Sequence, residues 1–355
     1  MLFTRLAQNK HPCIRSFSKS FALPVFRGAF YFVTKGIFIM KIIDFSKDLM
    51  PAACRLVMEN YAEEREAVSS LPENTLLPPL DELTENGLGV AAVDGDTLLG
   101  FLGAYGPWEP VFRTPNTRGV FSPLHAHGAV KENRIKIYQR MYQAAAEKWV
   151  KAGAASHAVT LYAHDTAANE AFFTYGFGMR CIDLIRSVDN SDFQNKENCV
   201  CHELTAARQS ELRLMRRSLS DHLAQSPCFM KDSPEDIANW IAKREADPPR
   251  TFIAEVGGTI AAYIEMKPEG ENFAAYSPDM LNICGAYCLP EFRGKGVAQS
   301  LLNYAIPILR SEGFARLGVD CESFNPTALN FWSKYFEVYT HSVVRRIDEN
   351  AVNFY

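Results

Sequence analysis

From Met40 onward, short apolar runs alternate with stretches whose apolar residues recur at helical spacing. KIIDFSKDLMPAACRLVMENYAEE (41–64) predicts a strand followed by a helix. AAVDGDTLLGFLGAY (91–105) is two apolar runs around an Asp-Gly-Asp turn, and IAEVGGTIAAYIEM (253–266) has the same form around Gly257-Gly258. Both predict β-hairpins. YQRMYQAAAEKWVKAG (138–153) and AQSLLNYAIPILRSEG (298–313) carry helical patterns that stop at a glycine.

These segments keep a common register. An offset of 160 places Gly153 on Gly313, Ala145 on Ala305, Val159 on Val319, Ala168 on Ala328 and Tyr175 on Tyr335. Register held over some 40 residues predicts an internal duplication. Each copy reads strand, helix or helices, β-hairpin, strand, helix, strand, helix, strand, which is a mixed α/β order. The expected units are 40–190 and 198–355, joined near the polar SVDNSDFQNKEN (187–198).

Residues 1–40 hold six Lys or Arg and no acid, leaving 31 basic and 41 acidic residues in the rest. The opening segment is therefore a different kind of sequence. FALPVFRGAFYFVTKGIFIM (21–40) is interrupted by Pro24, Arg27 and Lys35, so it does not supply the long uncharged run of a membrane span. Residues 1–39 are expected to be an upstream extension or leader, with Met40 as the start. Net charge of −4 gives no support for general nucleic-acid binding.

Nine cysteines, an odd number without a CxxC pair, predict reduced thiols and a cytoplasmic setting. No metal is expected. Cys284 and Cys288 lack nearby partners, and His125 and His127, placed on one side of a strand, lack a third ligand.

PEFRGKGVAQSLL (290–302) is the most informative stretch. A strand, NICGAYCLP (282–290), runs into a turn that opens into a helix near Val297. The unpartnered amides and dipole of a helix start suit a pyrophosphate. Gly294 and Gly296 permit close backbone approach, Arg293 and Lys295 add positive charge, and Ala298 keeps the first turn thin. The spacing is neither a P-loop nor a dinucleotide fingerprint.

Arg293-Gly294-Lys295-Gly296-Val297-Ala298 resembles the Q/R-x-x-G-x-G/A signature of the GNAT acyltransferase superfamily, and VDCESFNPTALNFWSKYF (319–336) resembles its second signature. The likeness spans about 150 residues of the C-terminal half, and the N-terminal half looks like the same fold with a worn cofactor signature. It implies two tandem GNAT-like domains, each a mixed, mostly antiparallel sheet flanked by helices. It implies acetyl-CoA as co-substrate and a primary amine as acceptor. Backbone groups of Tyr287, Cys288 and Leu289 would meet the pantetheine arm, amides from Arg293 through Gly294, Lys295, Gly296 and Val297 to Ala298 would cradle the pyrophosphate, and Asn325 would bond the pantetheine. The alternative is a CoA-binding or interaction module without catalysis on the same scaffold.

Trp332 stands where the family usually has an acidic tyrosine. Tyr335, one helical turn on, or solvent would protonate the leaving thiolate. Glu265, Glu322 and Asp320, on or beside central strands, or a water chain, would take the amine proton. In the first copy NRIKIY (133–138) replaces RGKGVA and Asp165 replaces Asn325, so no ordinary acetyl-CoA site is expected there. Asp232, Glu235 and Asp236 face the expected acceptor region, but Ser233-Pro234 makes them a helix start instead.

Overall fold

The fold is that of a computed structural model, which describes residues 40–189 and 199–352. The expected leader 1–39 and most of the expected linker lie outside the described residues. The first half runs β1 (Lys41–Asp44), α1 (Met50–Ala67), α2 (Asp81–Glu85), β2 (Val90–Asp94), β3 (Thr97–Leu102), β4 (Tyr105–Trp108), β5 (Gly119–Ser122), β6 (His127–Ala129), α3 (Arg134–Lys151), β7 (Ser156–Tyr162), α4 (Thr166–Thr174) and β8 (Gly178–Ser187). The second half runs β9 (Val200–Leu204), α5 (Arg213–Leu223), α6 (Pro234–Ala246), β10 (Arg250–Val256), β11 (Thr259–Lys267), β12 (Met280–Cys288), α7 (Val297–Ser311), β13 (Arg316–Glu322), α8 (Pro326–Trp332), β14 (Glu337–Arg346) and α9 (Glu349–Val352).

Both hairpins form where the pattern predicts them, β2 with β3 and β10 with β11. Buried positions follow the helical period, as with Ala53, Leu56, Val57 and Tyr61 on α1 and Leu301, Leu302, Ala305, Ile306 and Leu309 on α7. The offset of 160 persists from β7 to β13 and from α4 to α8. Helix α3, at 18 residues against 15 in α7, is nearly a turn longer at its N-terminal end.

Four strands form one sheet in the order β1-β2-β3-β6, and ten form a second in the order β4-β5-β7-β14-β8-β13-β12-β11-β10-β9. Two pairs are parallel, β5 with β7 and β12 with β13, and the others are antiparallel. The centre of the long sheet is an exchange. β14 pairs with β7, and β8 pairs with β13, so the last strand of each copy completes the sheet of the other. β8 and β14 also pair with each other and join the halves through main-chain hydrogen bonds.

One face of the strands is covered by α3 in the first half and α7 in the second, each over its own apolar core. The opposite face carries α1 and α5, over two further cores. Leu317, Val319 and Cys321 of β13 and Ile182 and Leu184 of β8 join the α7 core. The two-residue period of a strand therefore turns Asp320, Glu322 and Asp183 toward the α5 face.

Candidate active site

The parallel pairing of β12 with β13 lasts only from Met280↔Arg316 to Ile283↔Val319. Beyond Ile283, β12 stays with β11 as far as Cys288, while β13 stays with β8. The strands fork there, and the fork opens toward the Gly-rich turn. Tyr287 and Cys288 lie on the β12 arm, opposite Tyr263 and Ala262 of β11. Leu289 donates its N–H to Ala261 O at 2.9 Å, so that amide faces β11 rather than the fork.

Pro290–Phe292 form a short 3-10 turn, after which Gly294 and Gly296 adopt φ of 70° and 82°. Both values are left-handed and favour glycine. Gly296 is the N-cap of α7, and no side chain caps that end. A Cβ at Gly294 would meet nothing within 4 Å, so the space over it is open. Val297 is buried beneath the helix start. The Arg293 guanidinium stacks 5.2 Å from the Tyr287 ring and donates from Nε to Cys288 O at 2.9 Å, bracing turn against strand. Lys295 lies 5.9 Å over the Phe292 ring.

Asn325 is buried and serves as the N-cap of α8, accepting from Ala328 N at 3.3 Å. Its side chain also hydrogen-bonds His222, at the end of α5. The His222 ring is 6.2 Å from that of Tyr287, so one histidine touches both arms of the fork. Burial lowers its pKa, the nearby Arg293 lowers it further, and the Asn325 bond opposes both. Nothing in the local pattern singles out His222, because a polar residue ending an amphipathic helix is ordinary.

The expected proton carriers are arranged unlike a simple strand reading. Glu265 is fully buried. Its Oε1 accepts from Arg216 Nε at 2.8 Å and Nη2 at 2.6 Å. Its Oε2 takes no hydrogen bond, with Arg244 Nη1 at 3.5 Å. That oxygen fills the space over Gly285, where a Cβ would lie 2.6 Å from it. Glu322 ends β13 opposite Cys181, and its carbonyl accepts from Asn325 N at 3.0 Å. Helix α8 stops at Trp332, so Tyr335 is not on the same helix a turn later but in the turn beyond, its N–H bonded to Trp332 O at 2.9 Å. Trp332 itself is buried against Phe336.

Ser233 caps α6 through Asp236 N at 3.1 Å, and Asp232 pairs with Arg113. These acids start a helix and anchor a loop, as the Ser-Pro pattern predicts. Two further residues at the fork went unpredicted. Asp183, directly opposite Asp320 across β8 and β13, is buried and accepts from Thr340 Oγ1 at 2.6 Å and Asn272 Nδ2 at 3.0 Å. Its signal in the sequence was an acid inside the apolar CIDLI. Arg216 is a fully buried cation, which no spacing rule reveals.

The first copy lacks this arrangement. All of NRIKIY but Asn133 lies in α3, with Arg134, Ile135 and Lys136 as the extra length of that helix. Arg134 opens the helix and is 5% exposed, donating to Glu63 at 2.7 and 3.0 Å and to Asp165 at 3.0 Å. Asp165 caps α4 as Asn325 caps α8. What remains is a cavity of about 40 Å³ lined by Asn60, Glu63, Glu64, Arg134, Tyr162, His164 and Asp165.

His125 and His127 do not share a strand side. His125 sits in a 3-10 turn and bonds Tyr105 Oη at 3.0 Å. His127 is buried, held by Tyr138 Oη at 2.9 Å and Thr160 O at 2.7 Å, and burial lowers its pKa to about 4. Among the described residues no group of three or more His, Cys, Asp or Glu is placed to hold a metal ion. Among them, too, no helix is long and apolar enough to cross a membrane.

Residues 216–337 match the model of the Acetyltransferase (GNAT) family. A comparison with curated proteins finds no match. Among solved structures, a GCN5-related N-acetyltransferase from Sphaerobacter thermophilus is 14% identical with a TM-score of 0.52, over 86% of this chain and 95% of that one. A GNAT-family acetyltransferase from Colwellia psychrerythraea is 12% identical with a TM-score of 0.44, over 88% of this chain and 100% of that one. The Sphaerobacter likeness extends the shared fold over both halves. With a forked sheet, a glycine-capped helix start and the family match over 216–337, the second half of this chain carries a GNAT-family acetyltransferase domain.

Proposed function

We propose that the second half, 198–355, transfers an acetyl group from acetyl-CoA to a primary amine, while the first, 40–190, is a GNAT-like domain that has lost its cofactor site. One observation carries this reading: the fork between β12 and β13 and the open start of α7 lie at the same end of one strand. A thioester arm laid in the fork runs directly to amides suited to a pyrophosphate. Tyr287, Cys288 and Leu289 would flank the arm, Arg293 to Ala298 the phosphates, and Asn325 the pantetheine. Tyr335 is assigned as proton donor to the thiolate. Glu265 or Glu322 is assigned as the base that takes the amine proton.

The amine nitrogen attacks the thioester carbonyl, the C–N bond forms, the C–S bond breaks, and CoA leaves as the thiolate. Rate in such a site comes from positioning and from hydrogen bonds to the developing oxyanion. The eight cysteines among the described residues are all free, which supports a cytoplasmic placement.

Titration calorimetry of acetyl-CoA into the full chain tests the reading, beside Gly296→Glu. That substitution puts a side chain on a left-handed residue and a negative charge at the phosphate site. Binding near one per chain, lost in the variant, supports it. No binding to the unaltered protein would leave a scaffold without a cofactor.

A further inference from the structure

The first copy sends an arginine to the mouth of the second copy's fork. Strand β8 lies between β13 and β14, and Glu322↔Cys181 is its last pair with β13. Just past that pair, Ser323 donates its N–H to Arg180 O at 2.9 Å and its Oγ to Met179 O at 3.0 Å. These bonds tie the start of β8 to the turn that leads into α8. The Arg180 guanidinium lies 5.7 Å from the centre of the Phe324 ring. Phe324 precedes Asn325, the buried cap of α8. From Val319, where the fork starts, to Glu322 is roughly 10 Å of strand. A group held at Arg180 is therefore within one small molecule's length of the fork.

Two loops flank this arginine. Cys228, between α5 and α6, donates from Sγ to Phe324 O at 3.8 Å. Asp232 of the same loop pairs with Arg113, which comes from between β4 and β5. Arg113 thus has its carboxylate, and Arg180 has none. Its Nη2 is buried without a hydrogen-bond partner, and no carboxylate forms an ion pair with its guanidinium, among the described residues. Burial lowers its pKa, Glu322 and Cys181 oppose that, and Arg113 adds to it.

A buried guanidinium nitrogen without an acceptor is costly, and an acceptor brought by a ligand removes the cost. The planar fork of an arginine matches two oxygens of one carboxylate or phosphate, and stacking on an aromatic face keeps its edge available for them. Lone pairs on a neutral amine or a hydroxyl would satisfy it less well, because only an oxyanion also balances the charge.

Resting on the acetyltransferase reading above, we infer that the acceptor amine also carries an oxyanion, a carboxylate or a phosphate, and that Arg180 of the first copy binds that group at the mouth of the fork. The acceptor is then bipolar, with its amine end directed into the fork and its anionic end held outside it. Arg180 is a specificity residue and takes no part in bond making. It stands on β8, while Phe324 and the fork belong to the second copy, so this recognition depends on the strand exchange. The first copy thereby has a chemical reason to persist without a cofactor site.

The test uses the full chain, acetyl-CoA, and acceptors in matched pairs: alanine against alaninamide, γ-aminobutyrate against n-butylamine, and phosphoethanolamine against ethanolamine. Thiol release is followed for the unaltered protein, Arg180→Gln and Arg180→Lys, with acetyl-CoA affinity measured calorimetrically for each. At least one anionic member is expected to exceed its counterpart by about 10-fold or more in kcat/KM, mainly through KM. Added salt should shrink that preference. The pair that shows it tells carboxylate from phosphate. Arg180→Gln is expected to raise KM for the preferred anion on the order of 10-fold to 100-fold and to bring the pair together, with acetyl-CoA still bound. Arg180→Lys, which keeps the charge but not the two-oxygen match, should retain part of the preference and serves if the glutamine variant does not fold. The inference is overturned if no anionic member is preferred, if Arg180→Gln keeps the preference, or if a protein that binds acetyl-CoA acetylates none of the six. Failure to bind acetyl-CoA at all would instead remove the reading on which it rests.

Discussion

Thr340 Oγ1 donates to Asp183 Oδ2 at 2.6 Å, and the two residues come from the final strands of different copies. Each of these strands is flanked by strands of the other copy, so neither half closes its own sheet. A chain ended after Phe336 would lose β14 and expose long edges on β7 and β8. That truncation is expected to be insoluble or proteolysed, and fragments 40–189 and 199–355 are expected to be recovered soluble only when co-expressed. Soluble, cooperatively unfolding single fragments would contradict this.

Arg134 is the counter-charge for Glu63 and Asp165 in the first copy. Arg134→Ala removes it and leaves Asp165 buried without a cation. A loss of roughly 3 kcal/mol in unfolding free energy is expected, measured by denaturant titration. No second acetyl-CoA site should appear, because the helix start remains a turn too long. Stoichiometry by calorimetry reads that outcome directly.

Arg216 and Glu265 are both fully buried, and the pair is held by two bonds from one guanidinium. Arg216→Met is expected to destabilise by about 3–5 kcal/mol, since it strands a carboxylate in the interior. Adding Glu265→Gln to it should recover much of that loss. A double variant no more stable than the single one would show that the cost lies in packing instead.

Burial lowers the pKa of His127 to about 4 and of His157 to about 3. Both are bases with depressed folded values, so the unfolded chain binds protons first as pH falls below about 6.5. Their linked stability is intact above that value and is lost progressively as pH falls toward the folded values. At pH 5 each is expected to cost roughly 2 kcal/mol relative to pH 8. Denaturant midpoints at the two pH values should differ accordingly, with the difference shrinking in His127→Gln.

Asp183 has the opposite sign. Its folded pKa is raised, so the unfolded chain loses its proton first as pH rises above about 4. Asp183→Asn is therefore expected to raise stability at pH 8 by roughly 1–3 kcal/mol. Thermal unfolding at pH 5 and pH 8 should show the larger gain at the higher value.

The periodic patterns alone determined the two hairpins, the helices that stop at Gly153 and Gly313, and the repeat at an offset of 160. Those features are local: a turn residue or a helical stripe is specified within a dozen positions. The Gly294–Gly296 turn was legible for the same reason, since left-handed φ is a property of a single residue. Local spacing failed where side chains from distant segments meet. It placed Tyr335 on a helix that ends at Trp332 and gave no sign that Arg216 is buried against Glu265. It also gave no sign that Arg134, through Glu63 and Asp165, extends α3 at its start. The exchange of β8 and β14 had no signature at all. An apolar strand carries no mark of its neighbour, and only the closure of the whole sheet decided that Asp183 would stand beside Asp320.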